Sequence, residues 1–390
     1  MTRMRIARVL CLVAAGAAVG SLALAGAGPA SAAPQAASTA AGGRATAPAG
    51  LTATGPGPVT AYVSDEGSGT VTPIQTATNT AGSPIRVGSI PEAIAIMPDA
   101  KYAYVTVLDG VTPIRTTTST RRSTISAGGA PVAVAITPNG KTAYVANYNS
   151  GTVTPIQTAT DTAGSPIPVG INPNAIAITP NGKTAYVVNN GSDTVTPIQT
   201  ATNTAGSPIA TGDNPWAIAI TPNGETAYVT NYNSDTVTPI KTATNTAGKP
   251  IPTGNVPYAI AITPNGRTAY VANLLSGTVT PIRTATNTAG SPIATGIYPV
   301  VVAITPNGKT AYVANTVSNT VTPISTATNT AGSPIPTGVS PRAIAITPNG
   351  KTAYVANDSS NTVTPIQTAT NTAGTPIPVG KTPWFIAITP

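Results

Sequence analysis

Apolar and polar positions alternate along this chain in short runs. In Pro215–Gly254, PWAIAITPNGETAYVTNYNSDTVTPIKTATNTAGKPIPTG, four runs stand out: AIAI, TAYV, TVTPI and a short PIPTG-type segment. AIAI alternates small and large apolar residues, TAYV is β-branched and aromatic, and TVTPI is rich in Thr and Val. Turn residues bound each run. Runs this short, with this period, predict four β-strands and no helix. The Asn-Gly between the first two runs predicts a tight hairpin.

The unit repeats. The Pro of its TPNG turn recurs at Pro138, Pro180, Pro222, Pro264, Pro306, Pro348 and Pro390, a step of 42 residues each time. A fixed period of this length with four short strands per unit predicts the blades of a β-propeller. From Val59 the strands begin in mid-unit: Ala61–Val63 matches the second type, Thr70–Ile74 the third and Pro84–Val87 the fourth. The chain ends on a lone first-type strand, Phe385–Pro390. The two ends together supply one blade, so the last strand is expected to latch a closed ring and remove its exposed edges. Eight AYV tyrosines, from Tyr62 to Tyr354, and eight VTPI prolines, from Pro73 to Pro365, point to eight blades. A seven-bladed ring with one unit left over is the alternative. The unit around Tyr104–Pro113 is two residues shorter than its counterpart Tyr144–Pro155 and carries Arg115, Arg121 and Arg122, which predicts a clipped loop and a basic edge.

The proline within TVTPI cannot donate to a strand ladder. A bulge is expected there, or a third strand that pairs on one side of the proline only. The AYV tyrosines hold a constant strand position and are expected in the core.

Tyr228-Val229-Thr230-Asn231, together with the recurrent TPNGKTAYV and ATNT segments, resembles the YVTN-repeat β-propeller family over residues 58–390. That resemblance implies a secreted or surface-exposed propeller, similar to surface-layer proteins and periplasmic YVTN-type relatives. The family usually has Val-Ile-Asp where this chain has Pro-Ile-Gln or Pro-Ile-Lys, so a regular acidic position is gone.

Residues 1–32 have the features of a secretory signal peptide: Arg3, Arg5 and Arg8, an uncharged apolar run Val9–Ala25, and the small-residue site Ala30-Ser31-Ala32. Residues 33–57 read as a flexible Ala/Gly/Thr/Pro linker, and 58–390 as the propeller. The single cysteine, Cys11, lies inside the leader, so the mature chain has neither disulfides nor thiol chemistry. No membrane span is expected after the leader is removed.

Composition narrows the chemistry. The chain has no histidine, which excludes Ser-His-Asp hydrolysis, histidine metal sites and histidine-ligated haem. No Gly-rich phosphate loop opens a helix. No cofactor is expected. The formal charge is +8, and removing Arg3, Arg5 and Arg8 leaves +5. The remaining cations are spread over most blades, without the concentrated stripe of a nucleic-acid reader. Asp193 and Asp235 are single loop carboxylates, short of the six to eight oxygens that Ca²⁺ requires.

Two loops differ between otherwise near-identical units. One joins the second and third strands (NYNSG, NNGSD, NYNSD, NLLSG, NTVSN, NDSSN); the other leads into the first strand (GINPN, GDNPW, GNVPY, GIYPV, GVSPR, GKTPW). In a four-stranded meander both emerge on one face, and variable loops on a rigid scaffold are where binding sits. The residue after the loop proline lies near the channel: Glu92, Val132, Asn174, Trp216, Tyr258, Val300, Arg342 and Trp384. Both tryptophans fall at this one position. With Tyr298, Tyr148 and Tyr232 they are read as exposed aromatics, suited to stacking on sugars or anchoring a protein partner, or else as plugs between blades. The expected function is therefore a secreted, non-enzymatic binding scaffold at the cell envelope, engaging a glycan or a protein. The alternative comes from propellers resembling the family that act as lactonases or hold redox cofactors. For that chemistry Glu92, Asn174 and Arg342 are the polar candidates at the ring position.

Overall fold

The computed structural model describes residues 59–390. The expected leader and linker lie outside the described residues. The described chain forms eight antiparallel sheets arranged as the blades of one propeller. Blade 1 is built from both ends: its innermost strand is the C-terminal Pro383–Ile388, paired with Thr60–Asp65 from Ala61↔Ile388 to Asp65↔Pro383. At the end of this seam Thr389 N–H donates to the Thr60 carbonyl at 3.0 Å, and Thr60 N–H donates to Thr389 Oγ1 at 2.9 Å. The expected latch is present, with eight blades rather than seven.

Blade 5 shows how the sequence folds locally. Its second and third strands, Thr226–Asn231 and Thr236–Lys241, pair over six residues without a bulge, Tyr228 lying opposite Pro239. The irregularity that proline imposes falls on the other side. In an antiparallel ladder the N–H and C=O of one residue face the same neighbour. The Pro239 carbonyl accepts from Gly248 N–H at 2.7 Å, so its missing donor also faces the outer strand. That strand is accordingly split into Thr246–Ala247 and Ile251–Pro252, which pair with the third strand on either side of the proline. The fourth strand expected from sequence is thus two short pieces. Gly248 lies flat on the proline ring, where a Cβ would sit 3.2 Å from Pro239 Cγ. Arg122 takes the equivalent place in blade 2 and keeps the bond to Pro113, so glycine there relieves a contact without being obligatory.

The tight hairpin expected at Asn-Gly is a turn that spans the whole TPNG segment. Gly224 N–H donates to the Thr221 carbonyl at 2.8 Å and Thr221 N–H to Thr226 at 2.9 Å. Proline sits at the second position of the turn, and Gly224 at φ 75° supplies the left-handed residue that lets the strands re-pair.

The AYV tyrosines are buried, as expected, and they also join the blades. Tyr228 is fully buried, and its hydroxyl donates to Asn287 Oδ1 at 2.6 Å in the ATNT turn of the next blade. The same bond recurs to Asn203, Asn245, Asn329 and Asn371 at 2.6 Å, and to Asp161 from Tyr104. Tyr354 closes the ring by donating to Asn79 and to the Thr76 carbonyl of blade 1. Burial lifts the Tyr228 phenol to about 12. Each turn asparagine is held at positive φ (54° at Asn245, 53° at Asn287), which Asn tolerates better than most residues. This explains why ATNT barely varies from unit to unit.

Candidate functional site

Hydrogen bonds bring the two variable loops onto one face. In blade 5, Tyr232 N–H donates to the Asn214 carbonyl at 2.9 Å and Asp213 N–H to Ser234 Oγ at 2.6 Å. A second set ties each loop to the blade before it. Asp193 Oδ1 accepts from Asn214 N–H at 2.7 Å, and Asp235 Oδ1 from Val256 N–H at 2.7 Å. Asn319 and Asn361 do the same at 2.8 Å for Ser340 and Thr382. The two aspartates therefore cap backbone. Among the described residues no group of three or more acidic, His or Cys side chains could hold a metal ion.

This rim carries all seven exposed large hydrophobics of the described residues: Leu108, Ile171, Leu275, Ile297, Tyr298, Val317 and Val339. An open cleft of about 470 Å³ lies on it between blades 3 and 4, lined by Tyr148, Asn149, Ile171, Asn172 and Ser192 among others.

At the ring position the tryptophans take the second of the two places expected for them, packed rather than presented. Trp216 and Trp384 are each 6% exposed and Tyr258 1%, so these aromatics are buried rather than presented to solvent. Their surroundings show why. In most blades the ladder register shifts where the loop proline enters the first strand, as between Pro215 and Ile218. From this position the side chains pack against neighbouring blades. The Trp216 ring centroid lies 5.5 Å from that of Tyr258 in the next blade and 5.5 Å from that of Tyr232 in its own. Asn174 Nδ2 donates to the Trp216 carbonyl at 3.0 Å. The Arg342 guanidinium sits 4.3 Å from the centre of the Trp384 ring, and its Nε donates to Asp358 Oδ2 at 3.1 Å. Tyr148 and Tyr232 are half-buried, and Tyr298 is exposed.

Two sectors result. In blades 4 to 6, Asn174, Trp216, Tyr232 and Tyr258 form a mainly aromatic arc. Within it, Asn174 Oδ1 and Trp216 Nε1 are buried without a hydrogen-bond partner. In blades 8, 1 and 2, Arg342, Trp384 and Glu92 stand on consecutive innermost segments around the channel. Glu92 is 8% exposed, and its backbone carbonyl accepts from Ser64 Oγ at 2.8 Å.

Several residues here escaped the sequence reading. Asp358 looked like one loop residue among variable ones, yet it positions Arg342. Thr230, Thr106 and Ser64 cap the backbone N–H just after Trp216, Glu92 and Trp384, at 3.0, 2.9 and 3.1 Å. Five of the other blades have Ala or Val at this place. The hydroxyl accompanies both tryptophans and Glu92, whereas the blades of Tyr258 and Arg342 have Ala272 and Ala356 there, so the sequence carried only a partial signal. Asp65 was also missed. It occupies the place of Asn231, whose Nδ2 donates to Thr236 and Thr238 Oγ1 at 2.9 Å each. Asp65 instead accepts from Thr70 at 3.0 Å and Thr72 at 2.6 Å, and burial raises its carboxyl to about 6.

The comparisons with known proteins agree on the fold. The family described as "Lactonase, 7-bladed beta-propeller" matches residues 246–380, about a third of the chain. This chain is a β-propeller. Its eight blades differ from the seven in that family's description. No curated protein matches it. Hydrazine synthase of Kuenenia stuttgartiensis superposes with a TM-score of 0.58 at 24% identity, covering 72% of this chain and 96% of that one. Dihydro-heme d1 dehydrogenase NirN, solved with DHE, superposes with a TM-score of 0.71 at 14% identity, covering 84% of this chain and 74% of that one. A 6-phosphogluconolactonase candidate from Bacteroides fragilis gives 0.59 at 21% identity, covering 85% and 98%. At these identities the likeness speaks for the fold alone.

Proposed function

We propose that this protein is a lactonase-like propeller acting on a small cyclic ester at the channel mouth of its variable-loop face. The observation that carries the reading is that the lactonase family match, residues 246–380, contains Arg342 and Asp358, a half-buried ion pair at the ring position. Asp358 and the Trp384 face hold the guanidinium in one orientation, which suits binding the carbonyl or a carboxylate of a lactone. Glu92, on the other side of the Trp384 strand, supplies the carboxylate that takes a proton from water. The water oxygen bonds to the carbonyl carbon, the ring C–O bond breaks, and the ring oxygen receives the proton. The test is hydrolysis of a panel of γ- and δ-lactones followed by base uptake. Arg342→Ala is expected to lower kcat/KM about 10- to 100-fold, the range for losing a charged hydrogen bond. Absence of turnover by the wild-type chain across the panel contradicts the reading.

A second reading drops the chemistry and moves the binding from the channel mouth to the rim. It is favoured by the gathering of all seven exposed large hydrophobics on the variable rim, the surface expected of a docking site. In this reading the YVTN-type chain, exported by its leader, holds an extracellular glycan or protein partner through that rim. Capture on a glycan array or by envelope extracts, lost in a Leu275→Ser, Val317→Ser variant and independent of Arg342, separates it from the first.

A further inference from the structure

The near-identity of the blades makes a local concentration of departures informative. Four arginines gather at a single junction: Arg86 and Arg121 on outer strands, Arg122 just after Arg121, and Arg115 at the end of the third strand. Arg86 stands where the other full blades have Pro or Ala, and Arg121 where every other blade has Ala. Arg122 stands where every other blade has Gly. Arg115 stands where four blades have Gln, and is matched by Lys241 and Arg283 in blades 5 and 6, so Arg86, Arg121 and Arg122 are the departures found at this junction alone. The outer strands Ile85–Arg86 of blade 1 and Thr120–Arg121 of blade 2 lie side by side, which brings the four together, with Lys101 joined through its carbonyl to Thr116. All five side chains belong to exposed residues.

The patch is ordered as well as basic. The Arg115 and Arg122 guanidinium groups lie 5.7 and 5.5 Å from the centre of the same Tyr102 ring. Arg122 also pairs with Asp161 at 2.6 Å, which in turn accepts from Tyr104. Lys101 pairs with Asp99 at 3.4 Å. Among the described residues no carboxylate pairs with Arg86, Arg115 or Arg121. Three fork-shaped cations thus face solvent at one junction, while Arg122 and Lys101 are each compensated by an aspartate.

We propose that this edge, at the junction of blades 1 and 2, is a binding surface for a linear anionic polysaccharide. Arginine forks bind sulfate, carboxylate and phosphate in a bidentate manner, and several of them gathered at one blade junction suit a polymer that repeats its anion. A polysaccharide is favoured over a nucleic acid because the one aromatic of the patch, Tyr102, is covered by two guanidinium groups, leaving no ring on which bases can stack. The surface lies on the outer strands, away from the channel mouth, and does not depend on the proposed hydrolysis.

Heparin is the probe, with binding measured by calorimetry at 50–300 mM salt. The expected result is that an Arg86→Gln, Arg115→Gln, Arg121→Gln variant binds at least about tenfold more weakly at low salt and lowers the slope of log K against log salt by about 2, as for three lost ion contacts. Arg86→Gln, Arg121→Gln alone leaves the Tyr102 stack in place and is expected to show about two thirds of that slope change. A Lys183→Gln, Lys309→Gln, Lys351→Gln variant removes the same charge from the constant turns and is expected to bind as the wild type does. Equal weakening in that control, no heparin binding by the wild type, or tighter binding of single-stranded DNA than of heparin would each overturn the proposal.

Discussion

Asp65→Asn is expected to stabilise the protein at neutral pH, although it removes a charged side chain with two hydrogen bonds. Asp65 is fully buried in the blade that both chain ends share, beside the Pro383 end of the seam. Burial outweighs the bonds from Thr72, Thr70 and the Gly380 backbone and raises its carboxyl from 3.8 to about 6. A raised acid binds its proton more tightly when folded. Its penalty is absent below pH 4, grows as pH rises from 4 to 6, and is complete above 6. Two pH units at 1.36 kcal/mol each correspond to about 3 kcal/mol at pH 7. Asparagine does not titrate, and its Nδ2 donates to both threonine hydroxyls, as Asn231 does to Thr236 and Thr238. For an ordered region of this size, 3 kcal/mol is about 4 °C in Tm. Thermal unfolding of both proteins from pH 4 to 8 reads the effect. The curves are expected to meet near pH 4 and to separate by about 4 °C at pH 7, the variant higher. A variant that melts below the wild type at pH 7, or keeps the same pH slope, refutes the reasoning.

Tyr228→Phe removes the bonds to Asn287 and the Thr284 carbonyl at one blade junction, with an expected loss of about 1 kcal/mol by chemical denaturation. The phenols of Tyr144, Tyr186, Tyr228, Tyr270, Tyr312 and Tyr354 are raised by burial to about 12, so folding stability is expected to fall as pH rises from 10 to 12, read as alkaline melting curves. Trp216→Ala leaves a void beside Tyr232 and Tyr258 and is expected to cost about 3–5 kcal/mol, whereas Tyr298→Ala, at an exposed position, is expected within about 0.5 kcal/mol of wild type in the same assay.

The architecture was legible because a repeat multiplies weak local signals. One AYV run is ambiguous, but eight at steps of 40 to 42 residues, with the missing strand supplied at Phe385–Pro390, leave few topologies. The shared face of the variable loops followed from strand count alone. What could not be read was direction and depth. In most blades the residue after the loop proline opens the first strand, as its place in the repeat said. That the side chains of Trp216 and Arg342 pack against neighbouring blades depends on the register shift at the start of the first strand, and bulges leave no mark in periodicity. The effect of Pro239 was expected in the wrong place because the side its missing donor faces is a matter of ladder phase. The tyrosine-to-asparagine bonds link residues 59 apart in sequence, as from Tyr228 to Asn287, and only the constancy of ATNT hinted at them.

Closure of the ring by the last strand underlies the common rim, the channel mouth and the junction patch alike. A disulfide between positions 61 and 388, which face each other across the seam, tests it directly. In an Ala61→Cys, Ile388→Cys chain with Cys11→Ser, opposed antiparallel positions fall within disulfide reach. Complete intramolecular oxidation with a raised Tm is the predicted result. Free thiols, or cross-linked dimers in place of a closed monomer, would contradict it.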